Sequence, residues 1–231
     1  MLADDNFASI AAAVREGRTA YANIKKVISW TLPTNSGEAS IIILALLLGL
    51  SLPITPIQIL WVNMVTAVTL GIALAFEPTR KETMAQPPRP RNSPLLSPTL
   101  VWHIVFVSLL FVAGVFGIHS YAIQQGHSTE LAQTLAVNTL VIMEIFHLLY
   151  IRNMDSKILT WQSVKGTKPV WIAIILVTLA QLAITYLPIL QSIFDTRAVP
   201  LMEGIMIIGI GIALFAIIES EKQIRLRFFK A

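Results

Sequence analysis

Glu38 stands out in this sequence because a carboxylate lies where the surrounding residues are apolar. The residues that follow it, 39–50, are almost entirely apolar. A carboxylate inside a membrane-spanning helix costs about 2.5 kcal/mol or more on insertion scales, so it needs a polar partner. Asn35 lies three residues earlier and should share a helix face with Glu38. Because carboxylate and amide oxygens are ligands that hard cations prefer, this segment predicts a cation site inside a helix bundle.

Two further apolar stretches carry polar groups of the same kind. Asn63 and Thr66 are three residues apart and follow the short link 51–56, so they should face Glu38 across a hairpin. Glu144 is a second carboxylate within an apolar segment. We interpret Asn63 and Thr66 as cation ligands and Glu144 as a ligand or a proton site.

Each of these groups also has a purely structural interpretation. Thr69, like any small polar residue in a membrane, can form a hydrogen bond between helices, and for this residue we prefer that interpretation. Glu144 can be a neutral acid bonded to a neighbouring helix. Asn138 lies six residues before Glu144 and should occupy roughly the same face. Gly209 and Gly211 are expected to be close-packing positions.

The positions of the histidines and tryptophans indicate neither an iron site nor a further binding site. Glu144 and His147 form the Glu-x-x-His pair of di-iron bundles, but those sites need two such pairs and two further glutamates, so iron is not expected. The other histidines are expected to be interfacial or solvated: His103, His119 and His127. Four tryptophans are expected to anchor the chain at the membrane interface: Trp61, Trp102, Trp161 and Trp171.

The composition is that of an integral membrane protein. Hydrophobic residues make up 55% of the 231 residues and charged residues 13%, about half the share in soluble domains. There is no cysteine, which excludes disulfides and thiolate metal sites. The pI near 9.5 is explained by basic loops rather than by nucleic-acid binding. Neither a phosphate-binding loop nor a serine, histidine and aspartate arrangement for hydrolysis is present.

The apolar segments predict an all-α, polytopic membrane helix bundle with six transmembrane helices and a short cytoplasmic N-terminal stalk helix. The stalk, 3–26, is amphipathic and should continue without a break into the first span, where Pro33 removes a backbone hydrogen bond and kinks the helix. Each span is close to the roughly 20 residues that cross the hydrocarbon core; the six are 27–50, 57–76, 99–121, 132–151, 169–188 and 199–218.

The predicted organisation follows from these spans. It comprises a stalk segment (1–26), a first transmembrane hairpin carrying the ion site (27–76), a proline-rich cytoplasmic loop that is extended and exposed (77–98), a four-helix part (99–220) and a basic tail (221–231). With six spans, every lysine and arginine except Arg197 lies on one side. By the positive-inside rule both termini are cytoplasmic, and we expect the cell membrane as the location.

The polar segments resemble those of P-type cation-transporting ATPases, in the calcium and sodium/potassium pump branch. Residues 3–10 and 12–18 resemble the cytoplasmic end of these pumps. Asn-Ser-Gly-Glu at 35–38 is similar to their fifth helix, Leu-Trp-Val-Asn-Met-Val-Thr at 60–66 to their sixth, and Ile-Met-Glu at 142–144 to their eighth. The resemblance covers the entire chain and implies the last six helices of a ten-helix pump.

The resemblance implies a set of cation-binding residues: Asn35, Glu38, Asn63, Thr66 and Glu144. One departure concerns the ion, because Ala67 stands where the pumps carry an aspartate, which weakens the case for calcium and makes a monovalent cation or a proton a competing candidate. The motifs Asp-Lys-Thr-Gly-Thr and Gly-Asp-Gly-x-Asn-Asp are not in this sequence. ATP and Mg²⁺ are therefore expected only for the complete pump, with no cofactor in this chain.

Three functions are compatible with these features. The first is the membrane transport part of an ATP-driven pump, whose partners are the lipid bilayer, the transported cation and N-terminal pump domains on the same or a separate chain. The second is a stand-alone secondary transporter or channel with Glu38 and Glu144 as proton relays. The third is a non-transporting membrane subunit.

Overall fold

The computed structural model describes residues 7–79, 81–85, 87, 95–154 and 167–228. All regular structure in this part of the chain is helical, which confirms the all-α prediction. The predictions for residues 1–6, for positions 80, 86 and 88–94 of the proline-rich loop, for Trp161 and for the chain end after residue 228 lie outside the described residues. The helices are α1 (Phe7–Leu47), α2 (Pro56–Val62), a π-helix (Asn63–Ala67), α3 (Val68–Ala75), a 3₁₀ turn (Lys81–Met84), α4 (Pro98–Gln124), α5 (Thr129–Arg152), α6 (Lys168–Tyr186), α7 (Pro188–Phe194) and α8 (Leu201–Phe228).

Five helical segments are long and apolar enough to cross a membrane, among the residues described: Pro56–Ala75, Pro98–Gln124, Thr129–Arg152, Lys168–Tyr186 and Leu201–Phe228. They make the chain an integral membrane protein. The predicted first span, 27–50, is not among the five. It forms the second half of α1, where the polar run 34–38 lowers the hydropathy.

α1 is one continuous helix of 41 residues. Pro33 lies inside it and has no N–H to donate to the carbonyl of residue 29. The carbonyl of Pro33 itself accepts a hydrogen bond from Ser108 Oγ at 3.1 Å, which ties this turn to α4. α1 ends at Leu47, and Gly49, two residues later, has a φ of 62°, which suits a residue without a side chain. Thr55 then caps α2 through a reciprocal capping box with Gln58.

α5 is the central helix of the bundle. Its most apolar window is 78% buried, against 22–39% for the other four apolar segments. α4 and α8 pack against it, and α1 packs mainly on α4. The contact with α8 is close at Gly211, where an added Cβ would lie 2.5 Å from Phe146 and 2.6 Å from Ile142, whereas at Gly209 it would meet nothing. The close-packing prediction is therefore right for Gly211 and wrong for Gly209.

Three connections differ from the sequence-based expectation. The loop 77–98 is not uniformly extended and exposed, since it contains the 3₁₀ turn and begins with the buried Glu77. The short helix α7, which starts at Pro188, was not predicted, although proline is favoured at a first helical position. α8 continues well beyond the predicted span, and Lys222 in its last part is buried.

Candidate cation site

Glu38 and Asn63 form the centre of the candidate site. Glu38 lies in the middle of α1 and is only 6% exposed. Asn63 Nδ2 donates a hydrogen bond to Glu38 Oε2 at 2.6 Å and a second one to the carbonyl of Ile59 at 3.2 Å. The hairpin therefore brings a carboxylate and an amide together inside the bundle, as their positions in the sequence predicted.

Asn63 is also the first residue of the π-helix, which was not predicted. The π-helix continues to Ala67 and includes Thr66, whose hydroxyl donates to the carbonyl of Val62 at 2.9 Å. π-Turns inside α-helices are rare and often occur at functional sites. Their wider turn changes the direction in which the following side chains point. No pattern of residue types in 63–67 distinguishes this turn from a regular α-helical one.

Glu144 brings the second carboxylate to the same place from α5. It is 1% exposed, and its carboxyl lies beside the side chains of Glu38 and Thr66. Its Oε2 has no hydrogen-bond partner among the described residues. The indole of Trp30 donates to its backbone carbonyl at 3.2 Å, which fixes α1 against α5 at this level. Two carboxylates, one amide and one hydroxyl thus converge from three helical segments: α1, the π-helix and α5.

Two amides expected near this cluster do not join it. Asn35 is exposed, although it lies only three residues from the buried Glu38. Asn138 donates to the carbonyl of Thr134 at 2.8 Å and to the hydroxyl of Thr185 at 3.1 Å, so it links α5 to α6. Its role in the structure is an interhelical hydrogen bond. For both residues, spacing along the helix predicted only approximately which side of the helix the side chain occupies.

The expectation that His103 and His119 are interfacial or solvated is wrong. Both are buried, because the side of α4 that carries them packs into the bundle. His103 Nε2 lies 3.0 Å from Nε2 of His147, and the ring of His103 stacks on Tyr150. His147 therefore faces another histidine rather than an iron-binding partner of Glu144. Within the described part of the chain, no three histidine or acidic side chains are grouped as metal ligands.

A buried ionic cluster at one end of the bundle was missed by the sequence analysis. Glu77, at the end of α3, pairs with Lys26 Nζ at 2.5 Å and with Arg152 Nε, and its backbone carbonyl accepts from Asn23. Burial acts to raise the pKa of Glu77, but hydrogen bonds and attraction from Lys26 and Arg152 outweigh it and hold this pKa below its usual range. The cluster ties α1, α3 and α5 together on the side away from the link 51–56.

Comparison of the sequence with known proteins shows the family of this chain. Residues 51–224 match the model of the C-terminus of cation-transporting ATPases. The chain is 37% identical over 222 residues to the probable cation-transporting ATPase F of Mycobacterium tuberculosis, covering 96% of this chain and 24% of that protein. It is 37% identical to the cation-transporting ATPase pma1 of Synechocystis, covering 85% of this chain and 22% of that protein.

A calcium-transporting ATPase of Bacillus subtilis is 34% identical over 214 residues, with 91% of this chain and 24% of that protein covered. The chain spans about a quarter of the length of the curated relatives it matches. The family model covers most of the sequence, and it includes the π-helix and Glu144 but begins after Glu38. The chain belongs to the family of P-type cation-transporting ATPases and corresponds to their C-terminal, membrane-embedded region.

Proposed function

We propose that this chain is the membrane transport part of an ATP-driven cation pump and that Glu38, Asn63, Thr66 and Glu144 supply ligands to the transported cation. The observation that carries the proposal is the meeting of two buried carboxylates beside Asn63 and Thr66. Two carboxylates this close repel each other unless a cation or a proton lies between them. A site of this kind is able to exchange protons for cations as access to it changes.

The ligand set favours a monovalent cation or a proton over calcium. Calcium sites commonly use six to eight oxygens, and added carboxylates strengthen binding. Ala67, at the end of the π-helix, contributes no oxygen from its side chain. Asn35 is exposed on α1, whereas the proposed ligands Glu38 and Glu144 are buried. The relatives named as calcium-transporting ATPases leave calcium as the alternative cargo.

We also propose that α1 crosses the membrane as a sixth span from about residue 27 and that its first part is a cytoplasmic stalk. One of the polar residues that lower the hydropathy of α1 is the site residue Glu38, so a low value is what an ion-binding span should have. The buried pairs of Lys26 and Arg152 with Glu77 lie at the end of the bundle that we assign to the cytoplasm, with both chain termini. The cell membrane is the proposed location.

In the complete pump, ATP and Mg²⁺ would act on N-terminal domains, on the same or a separate chain. Coupling would be mechanical, because α1 runs without a break from the stalk to Glu38 and contains one proline, Pro33, as a bending point. A movement of the stalk would then change the distance between Glu38 and its partners on the second and fourth spans.

The experiment that tests the proposal measures cation-dependent phosphorylation of the complete pump with and without Glu38→Gln. Glutamine keeps the size and an acceptor oxygen for Asn63 but removes the charge, so we expect the apparent cation affinity to fall by about tenfold or more. Ala67→Asp should raise apparent divalent affinity. Glu16→Gln, at an exposed carboxylate on the same helix, is the control and should change nothing. Unchanged cation dependence in Glu38→Gln would exclude Glu38 as a ligand.

A second measurement distinguishes the pump from a stand-alone transporter. The 231-residue chain in proteoliposomes should show neither ATP hydrolysis nor cation or proton flux, because the sequence holds no phosphorylation motif to drive a change of access to the site. Ion flux in the absence of ATP that depends on Glu38 and Glu144 would show that the chain is a secondary transporter or channel instead of part of a pump.

A further inference from the structure

Two adjoining cavities lie at the basic end of the bundle, away from the candidate cation site. The inner cavity, of about 260 Å³, is lined mainly by polar and basic residues, among them Lys25, Ser29, His103 and Arg225. The outer one is a groove of about 910 Å³ between α4 and α8. Both are lined by Thr99 and Arg225, so the polar cavity opens into the groove at these two residues.

The inner cavity carries positive charge that the described residues do not fully neutralise. No described residue pairs with the ammonium group of Lys25. Arg225 donates from Nε to Glu221 at 3.2 Å, and the two terminal amino groups of its guanidinium have no partner in the described part of the chain. Glu221 also accepts from the indole of Trp102 at 3.0 Å, so this carboxylate is already engaged. The net charge of the three ionic groups is positive.

The first turn of α4 adds a backbone donor. Pro98 has no N–H, the N–H of Leu100 is capped by the Ser97 hydroxyl at 3.2 Å, and that of Val101 bonds to the carbonyl of Ser97. Within the described part of the chain, the N–H of Thr99 therefore has no hydrogen-bond partner, and it lies at the positive end of a helix of 27 residues. Helix N-termini of this kind bind phosphate groups through backbone N–H groups.

Ser29 provides independent evidence that the inner cavity is built for a polar ligand. Its side chain is 0% exposed, it lines the cavity, and its hydroxyl has no hydrogen-bond partner among the described residues. A buried polar group without a partner is uncommon and costs about 1–3 kcal/mol, so an acceptor oxygen in the cavity would remove that cost.

The outer groove has the opposite character. Its walls are mostly apolar and include Trp102 stacked on Phe106, with ring centroids 5.9 Å apart, and Ile217 and Ile224 of α8. From Thr99 to Phe106 the groove follows α4 for about 10 Å, at 1.5 Å per residue, from the basic end towards the middle of the bundle. A chain of methylene groups fits this surface, whereas a soluble anion gains nothing from it.

We propose that these two cavities together bind one anionic phospholipid. Its phosphate lies in the inner cavity against Lys25, Arg225, Ser29 and the N–H of Thr99. One acyl chain lies in the groove between α4 and α8. The shared residues Thr99 and Arg225 mark the position of the glycerol. Charge complementarity selects an anionic headgroup, and the continuous groove selects a lipid over free phosphate.

The test measures lipid binding to the purified 231-residue chain in detergent by native mass spectrometry. The probes are phosphatidylglycerol and phosphatidylcholine with identical acyl chains, and inorganic phosphate. We expect one phosphatidylglycerol to bind in preference to phosphatidylcholine, and Lys25→Gln or Arg225→Gln to weaken it by about tenfold. The matched controls are Lys168→Gln and Arg227→Gln, at exposed basic residues outside both cavities, which should leave binding unchanged.

A second pair of variants tests the groove without altering charge. Ala216→Trp fills the groove and should weaken phosphatidylglycerol binding, whereas Ile212→Trp, at an exposed residue of the same helix outside the groove, should not. If Arg225→Gln prevents folding, this pair of variants still tests lipid binding at the groove. Equal affinity for the two lipids, or an equal loss of binding in the control variants, would overturn the proposal. If inorganic phosphate binds and Ala216→Trp does not weaken phosphatidylglycerol binding, the site is one for a soluble anion instead.

Discussion

Asn63 donates a hydrogen bond of 2.6 Å to the carboxylate of Glu38 across the first hairpin. The two residues are 25 positions apart, and the bond joins the middle of α1 to the first residue of the π-helix. A carboxylate and a carboxamide in contact orient each other. The amide nitrogen of Asn63 is turned towards Glu38, so its oxygen is directed elsewhere and remains a potential cation ligand.

The first prediction concerns Asn63. In the complete pump, Asn63→Ala removes both the amide oxygen and the donor that orients Glu38, so the apparent cation affinity should fall by about tenfold. The measurement is cation-dependent phosphorylation over a range of cation concentrations. Met64→Ala, one residue further on and exposed, is the control. An equal effect of both variants would point to a general disturbance of the π-helix instead.

The second prediction concerns the buried cluster around Glu77. Glu77→Gln leaves Lys26 and Arg152 buried without their carboxylate, and removal of one partner from such a cluster costs about 3–5 kcal/mol. Thermal unfolding of the purified chain in detergent should show a clear loss of stability. Glu16→Gln, in an exposed pair with Arg15, should change stability by less than about 1 kcal/mol.

The third prediction gives the pH dependence of that cluster. Because the pKa of Glu77 is lowered in the folded chain, its contribution to stability is complete above the ordinary carboxyl pKa of about 4.3 and is lost as the pH falls through the folded-state pKa. The difference in unfolding temperature between the native chain and Glu77→Gln should therefore be constant near neutral pH and shrink in acid. A difference that grew on acidification would contradict the assignment.

The fourth prediction compares two glycines of α8. Gly211→Ala places a methyl group 2.5 Å from Phe146, so the side chains of Phe146 and Ile142 or the helices that carry them must shift, with a cost of about 1–3 kcal/mol. Gly209→Ala meets no atom within 4 Å and should be neutral or slightly stabilising, because alanine favours the helix. Thermal unfolding of both variants in the same detergent is the measurement. Equal stability of the two would show that the contact with Phe146 is absent.

The fifth prediction tests whether α1 crosses the membrane. The chain has no cysteine, so a single introduced thiol can be labelled cleanly. Arg15→Cys should react only from the cytoplasmic side, and Ser51→Cys only from the outside. Gln125→Cys, in the turn between α4 and α5, should react from the outside as well. Reaction of Arg15→Cys and Ser51→Cys from the same side would remove α1 from the list of spans.

The sequence by itself determined the class of the protein and the kind of atoms in its site. Long apolar segments, a low share of charged residues and the distribution of basic residues follow from local composition, because the membrane acts on each segment separately. Glu38 and Glu144 stand out for the same reason, since a carboxylate in an apolar segment is recognisable without knowing its neighbours.

Only the tertiary structure decided which polar residues meet. Asn35 and Glu38 are about 60° apart around the axis of α1, and that difference separates an exposed side from a buried one once α4 packs on the helix. The π-helix at 63–67 rotates the rest of the helical segment Pro56–Ala75 by about 100°, which spacing in the sequence does not reveal. The partners of His103, Asn138 and Glu77 lie on other helices, and the sequence does not reveal them, because the rotation of each helix is set by the side chains packed against it.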